Sequence, residues 1–237
     1  MVTDMNDVPT GARLVGRGRS AAVYDVGDGL VLRRTTNPDY DAAGEADAMR
    51  MAASAGVPVP RVHRVAGRDL IMERVAGPTM LDDLLANPEH LDRHAATLAD
   101  LHRRLDGVVI AESATRSSVP GTKGVTPFGL LHGDLHPGNV MLTRAGPVLI
   151  DWTNYRIGPR EVDLAITWIL LACFGHDEPA AAGVSSALRA TLVGQFLAEV
   201  DRTAATAGLR EAVELRLADP ATGRTEKRCI QALSRGG

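Results

Sequence analysis

The 237-residue chain is 45% hydrophobic and 23% charged, an ordinary balance for a packed globular protein, which sets aside disordered and collagen-like architectures. A formal charge of −3 and a pI near 6.2, with no Lys/Arg-rich block and no basic stripe interleaved with aromatics, exclude nucleic acid as the expected partner. Cys173 and Cys229 are too few and too far apart for a disulfide framework or a cysteine metal cluster, Met1 to Thr10 is too polar for a signal peptide, and the apolar run Leu164 to Phe174 is short of the roughly 20 residues that span a bilayer. A cytoplasmic protein without membrane contact is therefore expected.

From the N-terminus, short β segments alternate with glycine: Arg13 to Val15, a loop over Gly16 to Ser20, Ala22 to Val26, a Gly27-Asp28-Gly29 turn, and Leu30 to Arg33. Tyr40 to Ala55 has helical composition, with Ala46, Met49 and Ala53 on one face, and stops at Gly56 before Pro58 and Pro60. Two strand candidates follow, Arg61 to Val65 and Leu70 to Val75, giving the order βββαββ. Gly77-Pro78 ends this pattern. Met80 to Leu85 and Pro88 to Leu105 read as helices, the second with Leu91, Ala95, Leu98, Leu101 and Leu105 at a spacing of three to four. Gly107 to Gly129 reads as a loop. Val140 to Leu142 and Val148 to Ile150 read as a strand pair turning at Ala145-Gly146, and the chain from Asp163 reads as helical, broken at Gly175 to Pro179, Ala207-Gly208 and Asp219-Pro220. The division expected is residues 1–76, β-rich with one helix, and residues 77–237, mainly helical.

The chemistry concentrates at His132-Gly133-Asp134-Leu135-His136-Pro137-Gly138-Asn139 and at Asp151-Trp152, which directly follows the second strand of the pair. Phosphoryl transfer needs a carboxylate within reach of the attacking hydroxyl and oxygen ligands for a Mg²⁺ that bridges the phosphates; positioning and charge do the rest. A rigid loop delivers Asp134 and, five residues on, Asn139 to one place, and a hairpin returns Asp151 to face them. Asp, Pro, Gly and Asn also make plain polar turns, but the aspartate seventeen residues after Asp134 and the glycine-rich hairpin upstream argue for a site.

These residues resemble the kinase catalytic loop H-R-D-L-x-x-x-N, with Gly133 in place of Arg, and Asp151-Trp152-Thr153 resembles the D-F-G segment. The variant His-Gly-Asp-Leu-His-Pro-Gly-Asn followed by Ile-Asp-Trp is similar to the signature of the aminoglycoside phosphotransferase family, which includes antibiotic, choline and homoserine kinases. The resemblance implies an α+β, bilobal protein-kinase-like fold and transfer from Mg-ATP, with GTP as the other donor, to a hydroxyl of a small molecule. It implies Asp134 as the catalytic carboxylate, Asn139 and Asp151 as metal ligands, and Asp163 as a hydrogen-bonding buttress of the catalytic loop, with His132 structural. By the same resemblance Gly16, Gly18 and Ser20 would cover the phosphates. Arg33 would contact them and be held by Glu45, and a hinge from Met72 and Glu73 to Gly77 would meet the adenine edge.

Protein kinases place lysine where Arg33 stands, and no lysine precedes Lys123. Guanidinium is a good bidentate phosphate ligand, so the chemistry survives. Arg34 competes for the role, but strand alternation puts Arg33 on the face of Val31 and Arg34 on the other. His102 reads as a satisfied core histidine, and Ser113, Ser117 and Ser118 as loop residues. A protein kinase is disfavoured because no arginine stands directly before Asp134 to read an activation-loop phosphate, Asp163 follows Asp151 closely, and no Ala-Pro-Glu closes the segment. A nucleotide-binding pseudokinase has to explain why all three site residues are present. For the acceptor, residues 152–237 balance ten acidic against ten basic residues, which weakens a polycationic aminoglycoside; Asp177-Glu178 and Glu199 to Asp201 are the candidate acidic patches. The acceptor and the oligomeric state stay open.

Overall fold

In a computed structural model of the chain, residues 11–18, 20–108, 128–173 and 184–235 are described. The N-terminal part is a five-stranded antiparallel sheet in the order β1-β2-β3-β5-β4, built from β1 (Arg13–Arg17), β2 (Ala21–Gly27), β3 (Leu30–Thr35), β4 (Val62–Ala66) and β5 (Asp69–Glu73). The β2–β3 turn places Gly27, Asp28 and Gly29 all at positive φ, where two glycines relieve what an L side chain would strain. Helix α1 (Ala43–Ser54) crosses between β3 and β4 and buries Ala46, Ala48, Met49 and Ala52.

After β5 the chain runs through Gly77, at φ 149, where a Cβ would lie 2.0 Å from the Leu142 carbonyl oxygen. Only glycine passes at that distance, and Pro78 O then accepts from Leu142 N at 2.8 Å. This contact joins the sheet to the helical part. That part holds α2 (Met80–Ala86), capped by a Thr79/Asp82 capping box, α3 (Leu91–Asp106), β6 (Phe128–Leu131), the hairpin β7 (Val140–Thr143) and β8 (Gly146–Leu149), β9 (Arg156–Pro159), α4 (Arg160–Cys173), α5 (Ser186–Glu199), α6 (Arg202–Ala218) and α7 (Arg224–Leu233). One apolar cluster runs unbroken from Val31 and Met49 under the sheet to Leu98 and Phe196 among the helices. A second gathers α4, α6 and α7 around Ile166, Ile169, Val213 and Ile230.

The expected βββαββ order, the helices and the hairpin are all present, with ends shifted by a few residues. Four features differ. First, β1 continues to Arg17, so Gly16 pairs with Val23 inside the ladder rather than in a loop, and a bulge falls between Leu14 and Gly16. Second, β6 pairs with β9, where a loop up to Gly129 and no strand at Arg156 were expected. Third, α6 runs through Ala207-Gly208 without a break, because Gly208 is a packing site: a Cβ there would lie 2.1 Å from Glu161 O at the start of α4. The interruption falls instead at Val200, and Asp201 caps α6 by accepting from Ala204 N at 3.0 Å. Asp201 is thus an exposed helix-end cap.

The fourth is chemical. Cys173, at the end of α4, and Cys229, in α7, are disulfide-bonded with Cα atoms 5.6 Å apart. No disulfide framework was expected from two cysteines; they form a single bridge, being far apart in sequence but on facing helices. Among the described residues no helix is long and apolar enough to cross a membrane. The Gly175 to Pro179 break, Asp177-Glu178, Ser113, Ser117, Ser118 and Lys123 lie outside the described residues.

Two expectations follow. Gly208→Ala should lower stability by about 1–3 kcal/mol through overpacking, although alanine is the better helix former, as read by denaturant unfolding. Cys229→Ser should cost about 4 kcal/mol in the chain-entropy account, since the bridge closes a loop with a sequence separation of 56. A melt unchanged by reductant would contradict the second.

Candidate active site

The catalytic-loop segment is fixed from below by Asp163, in the first turn of α4. Its carboxylate is buried at 2% exposure and accepts from His132 N at 3.1 Å and Gly133 N at 2.8 Å. Gly133 has φ +75, and a Cβ on it would lie 2.2 Å from Asn154 O. This explains why glycine replaces the arginine of the protein-kinase loop: the chain turns left-handed against the Asp151 segment and leaves no room. His132 is fully buried, packs edge-on against Trp152 with ring centres 4.8 Å apart, and makes a 3.1 Å hydrogen bond from Nε2 to Ile150 O. Thr167 donates to Leu135 O at 2.9 Å, which leaves its oxygen to accept from His102 Nε2 at 2.9 Å. Burial pushes the His102 pKa down to about 3. His102 is therefore a neutral core donor, as its place on the helix implies.

Asp134 follows this anchored turn. Asn139 Nδ2 donates to its backbone oxygen at 2.9 Å and to its Oδ2 at 3.2 Å, while Arg216 Nη1, from α6, donates to its Oδ1 at 3.2 Å. Burial raises the Asp134 pKa, and the Arg216 charge and His132 oppose that rise without cancelling it. Asn139 ends a short 3₁₀ turn, Pro137–Asn139, and its carbonyl accepts from Ile150 N at 2.9 Å, which ties it to the strand end that carries Asp151. With its amide nitrogen committed to Asp134, the Asn139 amide oxygen is the atom left for a cation.

Asp151 lies at φ 61, the left-handed region that aspartate tolerates better than most residues. Its Oδ1 accepts from Arg33 Nη2 at 2.9 Å and from the Thr153 hydroxyl at 2.6 Å. Burial pushes its pKa up, but the Arg33 guanidinium and the Thr153 hydroxyl outweigh that and hold it below the usual carboxylate value. Arg33 Nη1 also donates to Glu45 Oε2 at 3.1 Å; both side chains are almost wholly buried, and Tyr40 donates to the same Glu45 oxygen at 3.1 Å. Arg34 points elsewhere, into a two-bond pair with Asp69 at 2.7 and 2.6 Å.

A cleft of about 320 Å³ separates sheet from helical part. Val15, Val23, Val31, Arg33, Met72 and Glu73 line it from the sheet, Val75 from the connection, and Asn139, Met141 and Asp151 from below. Val31 and Arg33 thus share a face, as alternation requires. Where β5 passes into the connection, Glu73 N is bonded to Arg61 O at 2.9 Å and Arg74 N to Gly29 O at 2.8 Å, and the Glu73 side chain accepts from Arg61 N at 3.3 Å. Gly16, Gly18 and Ser20 do not line the cleft. Neither glycine is forced by the fold, because a Cβ on either would meet nothing nearer than 3.9 Å. Sequence reasoning missed Arg216: it is 82 residues from Asp134, and no local motif announces it.

The chain matches the phosphotransferase enzyme family over residues 11–123 and 116–200, and it belongs to that family of small-molecule kinases. A probable ketoamine kinase of Thermus thermophilus is 30% identical over 190 residues, 63% of this chain and 69% of that protein. Among solved structures, an ethanolamine kinase of Plasmodium vivax superposes with a TM-score of 0.62 at 12% identity, covering 93% of this chain and 80% of that one. An amicoumacin kinase in complex with AMP-PNP, Ca²⁺ and its antibiotic superposes with a TM-score of 0.56 at 14% identity, covering 97% and 88%. The bilobal, protein-kinase-like architecture expected from the motifs is thereby established.

The two neighbouring arginines should separate in nucleotide affinity, although each substitution strands a buried carboxylate and costs stability. Arg33→Ala is expected to weaken Mg-nucleotide binding about 10- to 100-fold, the span of one charged hydrogen bond. Arg34→Ala strands Asp69 and should cost about 3–5 kcal/mol of stability while leaving nucleotide affinity unchanged. Calorimetric titration and melts of both variants check this, and the reverse pattern would mean that the face assignment fails.

Proposed function

We propose that the protein transfers the γ-phosphate of ATP to a sugar hydroxyl of a ketoamine, with Asp134 accepting the hydroxyl proton and Arg33 holding nucleotide phosphate. The observation that carries the reading is the contrasting setting of two aspartates on one anchored loop system. Asp134 has its pKa raised by burial, while Asp151 has its pKa lowered. A group of the first kind accepts a proton; one of the second stays ionised as a ligand. Asn139 and Asp151 offer amide and carboxylate oxygens, the donor set that hard cations take, and would hold magnesium. Magnesium bound there supplies charge neutralisation on the phosphate oxygens. Arg33 keeps Glu45 as its fixed partner through Nη1, and its Nη2, which donates to Asp151 and Thr153, would be the group that meets phosphate. Met72 to Gly77 contributes the adenine-side wall, with Val75 as the backbone position beyond the two already bonded within the sheet. ATP as donor is supported by the AMP-PNP complex of the amicoumacin kinase.

The ketoamine acceptor is supported by the Thermus thermophilus relative and by the pocket of about 310 Å³ beside Gly133, which Asn154, Arg156, Arg216 and Asp219 line. Its mixed polar wall, with Asn154, Arg156, Arg216 and Asp219, suits a polyhydroxyl chain. An ADP-release assay with fructosyl-glycine, ethanolamine and gentamicin tests this. Turnover on either of the latter two with none on fructosyl-glycine would overturn the acceptor assignment.

Asp134→Asn removes the proton acceptor and keeps the metal ligands, so transfer should fall about 10²- to 10⁴-fold with Mg-ATP affinity retained. Asp151→Asn removes a charged ligand and should depress both affinity and turnover. Loss of Mg-ATP binding in the first variant, with both quantities intact in the second, would reverse the two roles.

A further inference from the structure

Among the described residues of α6 and α7, Arg216 reaches Asp134 with its side chain, and its surroundings are built to hold it there. It lies on α6 at 6% exposure. Nη1 reaches Asp134 Oδ1 at 3.2 Å and Asp219 Oδ2 at 3.5 Å, while Nη2 is bonded to Glu226 Oε1 at 2.8 Å. Glu226 itself is 1% exposed on α7, so the far end of the guanidinium is anchored by a second buried charge. The backbone is fixed as well: Thr222 donates its hydroxyl to Arg216 O at 2.8 Å. Helix α7 is tied to α4 by the Cys173–Cys229 bridge, and α4 carries Asp163 at its other end. The same helix thus anchors the catalytic loop directly and, through α7, the partner of Arg216.

The two Asp134 oxygens are fixed from different directions, Oδ2 by Asn139 and Oδ1 by Arg216. A carboxylate that takes a proton from an acceptor must present one oxygen along a set line, and a single amide contact leaves rotation about χ2 open. From this the geometry points to Arg216 as a positioning residue for Asp134, held by Glu226, and so to α6 and α7 as part of the phosphotransfer machinery. The inference rests on Asp134 being the proton acceptor. Arg216 acts through Asp134; a long-range ion pair that only stabilised the fold would not select the orientation of that one carboxylate.

The test uses Mg-ATP hydrolysis, with water as acceptor, on the full chain, so no acceptor needs to be known. Arg216→Ala should lower kcat about 5- to 100-fold with KM for Mg-ATP within about 2-fold, the span of coupling between contacting groups. Arg216→Lys should recover part of the loss, and Glu226→Gln should fall between. In an Asp134→Asn background, Arg216→Ala should cost less than about 2-fold more. Should Arg216→Ala fail to fold, the lysine and Glu226→Gln variants complete the same cycle. A kcat near wild type in the folded variants, or an undiminished effect in the Asp134→Asn background, would overturn the positioning role alone. Hydrolysis unchanged by Asp134→Asn would overturn the proton-acceptor reading itself, and the inference with it.

Discussion

The site hangs on one buried carboxylate. Asp163 takes two consecutive backbone N–H groups, from His132 and Gly133, and an unpaired amide at that depth would otherwise cost a full desolvation penalty. Burial raises the Asp163 pKa, with His132 and the two N–H groups opposing, so the contact is an energetic compromise that only two well-aimed donors make worthwhile. What it secures is direction. Gly133 can turn left-handed only against Asn154, and the turn sends Asp134 into the site and brings Asn139 back beside Asp151. Replacing Gly133 by a residue with a side chain would drive Cβ into a backbone oxygen.

From this anchor the constraint spreads to the sheet through Arg33. A lysine in its place would offer a point charge; the planar guanidinium meets Glu45 with one nitrogen and Asp151 with the other at the same time. Burying such a cation is costly unless it is paired and hydrogen-bonded, and Thr35, Glu45, Asp151 and Thr153 provide for that. Glu45 in turn is raised by burial and lowered by Arg33. The three-way arrangement fixes α1, β3 and the Asp151 turn relative to each other. Gly44 tightens it further, since its missing Cβ leaves room for the Tyr155 hydroxyl.

The parts of the site that could be read in the sequence are those set by local spacing. Asp134 and Asn139 share one turn, Asp151 ends a strand, and alternation along β3 separates Arg33 from Arg34. The fold was legible for the same reason, since strand period, helix period and glycine turns are short-range. What was hidden depends on contacts between distant segments. Phe128 to Leu131 and Arg156 to Pro159 are too short and too rich in glycine and proline to read as strands until they pair. Gly208 looks like a helix break because glycine does weaken helices, and only the approach of Glu161 shows that its lack of a side chain is what matters. Cys173 and Cys229 meet because α4 and α7 face each other. Arg216 carries no motif, being one of several arginines on helices whose faces are settled by tertiary packing.

Asp134 and Asp151 show how one residue type is placed in two electrostatic settings. Both are drawn away from water, and burial alone would push both toward the neutral form. The difference lies in their partners. Arg33 gives Asp151 a short, direct contact backed by the Thr153 hydroxyl, enough to reverse the effect of burial. Arg216 gives Asp134 a longer one, and the carboxylates of Asp151 and Asp219 add to the effect of burial, which prevails. On the proposed role of Asp134 as proton acceptor, Arg216 would orient that carboxylate while burial keeps its pKa raised.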